Sequence, residues 1–295
     1  MSELQDPHIL MAIKDLSLAA RRTIDGFMTG INKSKVKGPG LEFSQYRSYQ
    51  PGDDLRWLDW KRYARSDRYY IRESEIETSI SIRLLVDASN SMTHRDGAFT
   101  KLDYARLLAA SLGWLVHMQG DAFGLYLFQE GHVFSLPSRK DPQHLARYFY
   151  QLENIHPGGR IGDPIRYKHI FTSDQKRELL VFITDMYERE GEISRLLEIL
   201  ASLRHEIIVF HLMGKNELEM DYKGYQHLRD LETGEKIPFN DTLSLDAYRA
   251  RLKDWLAAVR MQVLDKQMAY QLLRMDQPPG DALRDFLKQR QKITG

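Results

Sequence analysis

The chain has 295 residues, with 42 Lys and Arg against 41 Asp and Glu and a hydrophobic fraction of 42%, the make-up of a globular protein long enough to bury a large core. A net charge of +1 excludes a chain that coats nucleic acid through a general positive field. The absence of Cys excludes disulfide scaffolds, thiolate zinc sites, iron–sulfur clusters and cysteine nucleophiles.

The first residues, MSELQDPHILMAIKDL, carry acids where a signal peptide would be basic and then apolar. The longest apolar stretch, Leu107 to Met118, is interrupted by Ser111 and His117 and is too short to span a bilayer. The expectation is a cytoplasmic chain, folded as one compact domain with an N-terminal extension. Ile9, Ile13, Leu16, Ala20, Ile24 and Phe27 recur at steps of three and four and predict one helix over 9–28. KSKVKGPG, residues 33–40, is a basic loop, and it opens a segment, Lys33 to Arg72, with ten Lys and Arg against five Asp and Glu.

From Glu77 to Ala88 the pattern alternates and then turns continuously apolar, as in a strand entering a buried sheet. Thr100 and Asp103 have capping-box spacing ahead of a helix whose apolar face runs from Leu102 to Val116. Strands over 122–128, 132–136, 178–184 and 206–212 alternate with helices over 143–152 and 193–203, which predicts an α/β fold with a doubly wound, mostly parallel sheet. Beyond Gly214 a short, turn-rich stretch precedes a helix capped by Ser244 and running to the Pro278-Pro279-Gly280 break, and a last helix covers 282–290. Tyr104 and Met118 sit at helical spacing and read as core, while His205 and His211 read as structural histidines in or beside an apolar strand.

In such sheets ligands bind outside the carboxyl ends of the strands, and two of those ends carry acids. One reads Asp87-Ala88-Ser89-Asn90-Ser91, the other ends at Asp185. Asp87, Ser89, Ser91 and Asp185 are hard oxygen ligands suited to Mg²⁺ or Mn²⁺ with a position left for a partner's carboxylate. Against this stands the plainer reading that Asp87 and the serines only cap the following turn. The D-x-S-x-S pattern resembles the metal-ion-dependent adhesion site of von Willebrand factor type A domains, and Asp185 matches the Asp that family places after a later strand. The family's Thr is missing: His156 to Asp163 puts Ile161 where the hydroxyl is expected. Either Asp163 takes its place or the loop geometry persists without an ion.

A wider resemblance covers almost the whole chain. Gly38-Pro39-Gly40-Leu41-Glu42-Phe43, Arg47-Ser48-Tyr49, Gly52-Asp53-Asp54-Leu55-Arg56, Asp59-Trp60, Ala64-Arg65 and Arg229-Asp230-Leu231-Glu232-Thr233-Gly234 are similar to the signature of the bacterial family known as domain of unknown function 58. That resemblance implies a von Willebrand factor type A-like core and a non-enzymatic partner of a MoxR-type AAA+ ATPase or its client. It also implies direct ligation by Ser89 and Ser91, with Asp87 and Asp185 acting largely through water. On this basis residues 1–73 form a helix and an Arg/Asp-rich segment packed on the core, 74–214 the core, and 215–295 short strands and helices completing the same unit.

In the signature segment, Arg47, Arg56, Arg62, Arg65 and Arg68 interleave with Asp53, Asp54 and Asp59 and with Trp57, Trp60 and Tyr63. Bidentate Arg–Asp pairs would staple it to the domain, and its acids would repel phosphates, so no nucleic acid is expected as partner. The competing reading is single-strand binding by stacking along the basic 33–72 segment, through Lys33, Lys35 and Lys37. P-loop, G-x-S-x-G and H-E-x-x-H motifs are absent, so no complete catalytic motif is present. The enzymatic alternative is a metal-dependent phosphatase with Asp87 as nucleophile, against which Ser89 stands where a second Asp is needed.

Overall fold

The leading helix expected over 9–28 is two helices in the computed structural model, α1 (Pro7–Met11) and α2 (Leu16–Lys33). The break has a local cause: Asp15 Oδ1 accepts hydrogen bonds from Ser17 Oγ (2.8 Å) and Leu18 N–H (3.0 Å), satisfying amides at the start of a new helix. The structure describes residues 6–33, 46–48, 63, 69–72, 81–129, 132–172, 177–203, 205–220, 227–238 and 245–294. Strands β1 (Tyr46–Ser48) and β2 (Tyr70–Arg72) pair antiparallel. Lys35, Lys37 and the Arg/Asp-rich signature lie, apart from residues 46–48 and Tyr63, outside the described residues, as do the staple and nucleic-acid readings placed on them.

β3 (Ser81–Asp87) opens the main sheet and leads into a 3₁₀ turn at Asn90–Thr93 and a small hairpin of β4 (Arg95–Asp96) and β5 (Phe99–Thr100). Helix α3 (Lys101–Met118) carries the expected capping box: Thr100 Oγ1 accepts from Asp103 N–H, and Asp103 Oδ2 from Thr100 N–H. Then follow β6 (Ala122–Gln129), β7 (His132–Arg139), α4 (Pro142–Glu153), a 3₁₀ turn at Pro164–Tyr167, α5 (Lys168–Thr172) and β8 (Glu178–Thr184). The chain continues through α6 (Glu192–Ala201), β9 (Glu206–Met213), α7 (Lys215–Glu219), a hairpin of β10 (His227–Arg229) and β11 (Lys236–Pro238), α8 (Leu245–Asp265), β12 (Ala269–Arg274) and α9 (Gly280–Thr294).

The main sheet has the order β12-β9-β8-β3-β6-β7, parallel throughout except for β7 against β6. From β3 the chain moves first to one side (β6, β7) and then to the other (β8, β9, β12). The carboxyl ends of β3 and β8 therefore flank the point where the winding reverses, the crevice in which α/β sheets bind ligands. Every residue of β8 is buried, because helices cover both faces. On one face Ile82, Leu84 and Val86 pack with Ile24 and Phe27 of α2, Leu108 of α3 and Phe286 of α9. On the other, Leu85, Phe182 and Val209 pack with Leu196 of α6 and Val263 of α8.

Two further expectations are corrected. The helix begun after Ser244 ends at Asp265 instead of Pro278: Gln267 turns the chain with φ of 60°, and Ala269–Arg274 joins the sheet edge parallel to β9. Met118, at the end of α3, is exposed and not core, whereas Tyr104 is buried with its hydroxyl donating to Gln277 O (3.0 Å).

Candidate functional site

Asp87, the last residue of β3, is wholly buried. Its Oδ1 accepts from Ser89 N–H (2.9 Å) and its Oδ2 from the Thr184 hydroxyl at the end of β8 (2.7 Å). The backbone then leaves the sheet under tight control: Ala88 N–H donates to Phe128 O (2.9 Å), Gly158 N–H to Ala88 O (2.9 Å) and Asn90 N–H to Gly159 O (3.0 Å). Held this way, Ser89 Oγ and Ser91 Oγ stand 2.9 Å apart, and Ser91 Oγ donates to Asp185 Oδ1 at 3.1 Å. The structure thus brings Asp87, Ser89, Ser91 and Asp185 into one buried cluster at the switch point. Ser89 makes no side-chain cap to the 3₁₀ turn it precedes, so its hydroxyl serves the cluster and not the turn.

The loop that was to supply the third hydroxyl is in place, but its side chain is not. Ile161 is buried in the second core with Leu85, Phe128 and Tyr167. Asp163 is exposed, and its Oδ1 accepts from Ile165 N–H (3.2 Å), capping the Pro164–Tyr167 turn. The structure does not bring it to the cluster.

Sequence reasoning missed the cation already present. Lys101, the first residue of α3, is buried, and its Nζ donates to Asp185 Oδ2 (3.0 Å) and Glu217 Oε1 (2.8 Å). The capping pair at Thr100 and Asp103 marks Lys101 as the start of the helix but gives no sign of its burial. Burial disfavours the ammonium charge, but Asp185 and Glu217 more than offset this and raise its proton affinity. Burial likewise works against the Asp185 carboxylate, yet the Lys101 charge and hydrogen bond and the Tyr187 N–H hold its pKa below the ordinary value. Among the described residues no cation pairs with Asp87; burial first, then the charge of Asp185, push its pKa up to about 6. His211, on β9, is kept neutral by burial, its pKa lowered to about 3, and its Nδ1 lies 2.8 Å from the Tyr270 hydroxyl.

A fourth carboxylate comes from the β10–β11 hairpin. The Glu232 side chain is 2% exposed, and its Oε2 lies 3.3 Å from Arg160 Nε in the loop that braces the serines. Burial, together with the charges of Glu192, Asp185 and Asp87, outweighs Arg160 and lifts its pKa to about 7. The edge is therefore rich in anions.

Whether these residues fit a divalent cation is a question of oxygen geometry. Neighbouring oxygens on an octahedral Mg²⁺, each at about 2.0–2.1 Å, stand about 2.9 Å apart, and the two serine hydroxyls have that separation. The carboxylates stand behind them, each already accepting protein hydrogen bonds. Among the described residues no three His, Asp or Glu side chains form a metal cage by themselves. The oxygens available to a cation here are the Ser89 and Ser91 hydroxyls, with the Asp87 and Asp185 carboxylates behind them. Asp87 is wholly buried, and both of its oxygens accept hydrogen bonds.

The family model described as "Protein of unknown function DUF58" matches residues 45–261. An uncharacterized protein of Mycobacterium tuberculosis is 26% identical over 236 residues, which is 79% of this chain and 74% of that one. Among solved structures, conserved hypothetical protein BatB from Bacteroides thetaiotaomicron is similar with a TM-score of 0.47 at 19% identity, covering 72% of this chain and 98% of the other. An aerotolerance-related membrane protein from Bacteroides fragilis has a TM-score of 0.45 at 20% identity, covering 71% and 98%. The SpRpn10 VWA domain has a TM-score of 0.40 at 13% identity, covering 70% and 95%. The fold is von Willebrand factor type A-like. The expectation of a cytoplasmic location is withdrawn, because the similar structures include one described as a membrane protein. Among the described residues no helix is long and apolar enough to cross a membrane.

Proposed function

We propose, from the premise that the chain belongs to the DUF58 family, that it is a protein-interaction module whose contact point is the carboxyl edge of β3 and β8. The observation that carries this reading is the pair of serine hydroxyls 2.9 Å apart, backed by Asp87 and Asp185 at the switch point. Mg²⁺ or Mn²⁺ there would supply a positive centre able to accept a carboxylate from a protein partner, which oxygen-lined sites with retained water positions permit. Ser89 and Ser91 would hold it, while Asp87 is fixed by Thr184 and Asp185 by Lys101, so neither outer carboxylate needs to reorganise.

The family resemblance makes a MoxR-type AAA+ ATPase, or its client, the partner to try first. The test is binding of the full chain to that purified ATPase, comparing wild type with Asp87→Ala. Binding should fall at least tenfold, the lower end of what losing an outer-sphere partner costs a metal site. Equal binding by a folded variant would remove the site from the interaction.

A further inference from the structure

Beside the loop that braces the serines, one carboxyl side chain is buried with an oxygen that receives no hydrogen bond. The Glu232 side chain is 2% exposed, and its Oε2 receives no hydrogen bond, although Arg160 Nε lies within ion-pair distance at 3.3 Å. A buried carboxylate left this way is costly unless the geometry serves something else.

The turn carrying it is built to hold that side chain in place. Asp230 Oδ1 accepts from Glu232 N–H (2.8 Å) and Thr233 N–H (3.0 Å), an Asx-type turn. Gly234 closes the turn with φ of 77°, a conformation that suits glycine. The turn is also tied to the strand exit: the Tyr187 hydroxyl, two residues beyond Asp185, donates to Asp230 Oδ2 (3.0 Å). On the other side Arg160 belongs to the loop whose Gly158 N–H and Gly159 O brace Ala88 and Asn90. Glu232 is thus pinned between the two strand exits that form the site, and it senses the charges of Asp185 and Asp87.

We propose that Glu232 is the site's own carboxylate ligand, and that the β10–β11 turn is a lid holding, in cis, the position an acidic side chain of the partner takes in trans. This rests on the reading of the site as a cation-dependent receptor for a carboxylate. The lid gives the exposed hairpin a purpose: a partner must displace Glu232, so free chains do not capture stray acidic segments. The neighbouring arginine keeps the carboxylate docked when no cation draws it.

The experiment titrates Mn²⁺ into the full chain, read by calorimetry and by hydrogen exchange of residues 227–238, for wild type, Glu232→Gln and Arg160→Gln. In the wild type the ion binds and exchange in the hairpin slows several-fold. Glu232→Gln, folded by circular dichroism, still binds the ion through the serines but loses the exchange response. Arg160→Gln keeps the response, because the carboxylate remains. Ion binding by wild type with no change in hairpin exchange would overturn the lid and leave the ion site standing. No ion binding by wild type would overturn the receptor reading and the lid with it.

Discussion

The two ends of the central sheet each bury an ion pair, and they treat it differently. At the amino end, Arg83 and Glu178 are 3% and 4% exposed and meet at 2.7 Å; the same Glu178 oxygen also accepts from Ser81 Oγ (2.8 Å) and Ser138 Oγ (3.2 Å). Arg83 further donates to the Tyr126 hydroxyl and lies over its ring. One cation meets one anion there, and three hydroxyls add hydrogen bonds to the pair. At the carboxyl end a single ammonium, Lys101, serves Asp185 and Glu217, while Asp87 is left to hydrogen bonds alone and Glu232 stands nearby with only a partial partner. A balanced pair stiffens a fold, whereas an end with surplus buried acid has a use for a cation from outside.

The largest expected effect breaks both pairs. Arg83→Met and Lys101→Met each strand a buried carboxylate, at a cost of about 3–5 kcal/mol, read by urea unfolding. The comparison sharpens when Mn²⁺ is added: stability should partly return in Lys101→Met, whose carboxylates lie at the ion site, and not in Arg83→Met. Rescue of both or of neither would erase the distinction between the two ends.

Next in size is the position the family fills with a hydroxyl. Since Ile161 faces the core, Ile161→Thr should destabilise by about 1–3 kcal/mol through lost packing and a buried hydroxyl, without tightening ion binding. A tighter site would mean that the loop delivers residue 161 to the serines.

The smallest effect is one of pH and lies away from the acids. His144 is buried, with Nε2 2.7 Å from Phe123 O, and burial holds its pKa below the ordinary value of 6.5. The unfolded chain therefore binds a proton that the native ring refuses. This contribution is present above about pH 6.5 and is lost as pH falls below it. Stability measured by urea unfolding should drop less between pH 8 and pH 5 in His144→Phe than in wild type; an equal drop would show that the His144 ring contributes none of the acid sensitivity.

Much of this was legible in the sequence, for physical reasons. Buried parallel strands are continuous apolar runs, so Leu179 to Ile183 announces β8, and the acids terminating β3 and β8 mark the ligand edge. β12 was hidden because Tyr270, Leu272 and Leu273 continue an apolar density close to that of the helix before them, and only the left-handed Gln267 separates the two. Lys101 was hidden because lysine is ordinarily at the surface; here two carboxylates from distant segments, Asp185 and Glu217, make its burial favourable. Glu232 could be named from the sequence as part of a motif but not placed, since a hairpin's docking depends on partners such as Tyr187 and Arg160 on other loops.

The most direct test is a calorimetric titration of Mg²⁺ into the wild-type chain and into Asp87→Ala, with circular dichroism to establish that both are folded. Saturable binding by the wild type, weakened roughly 10–100-fold in the variant, is the predicted result. Equal binding by both, or none by the wild type, would contradict a cation site at the carboxyl end of the sheet.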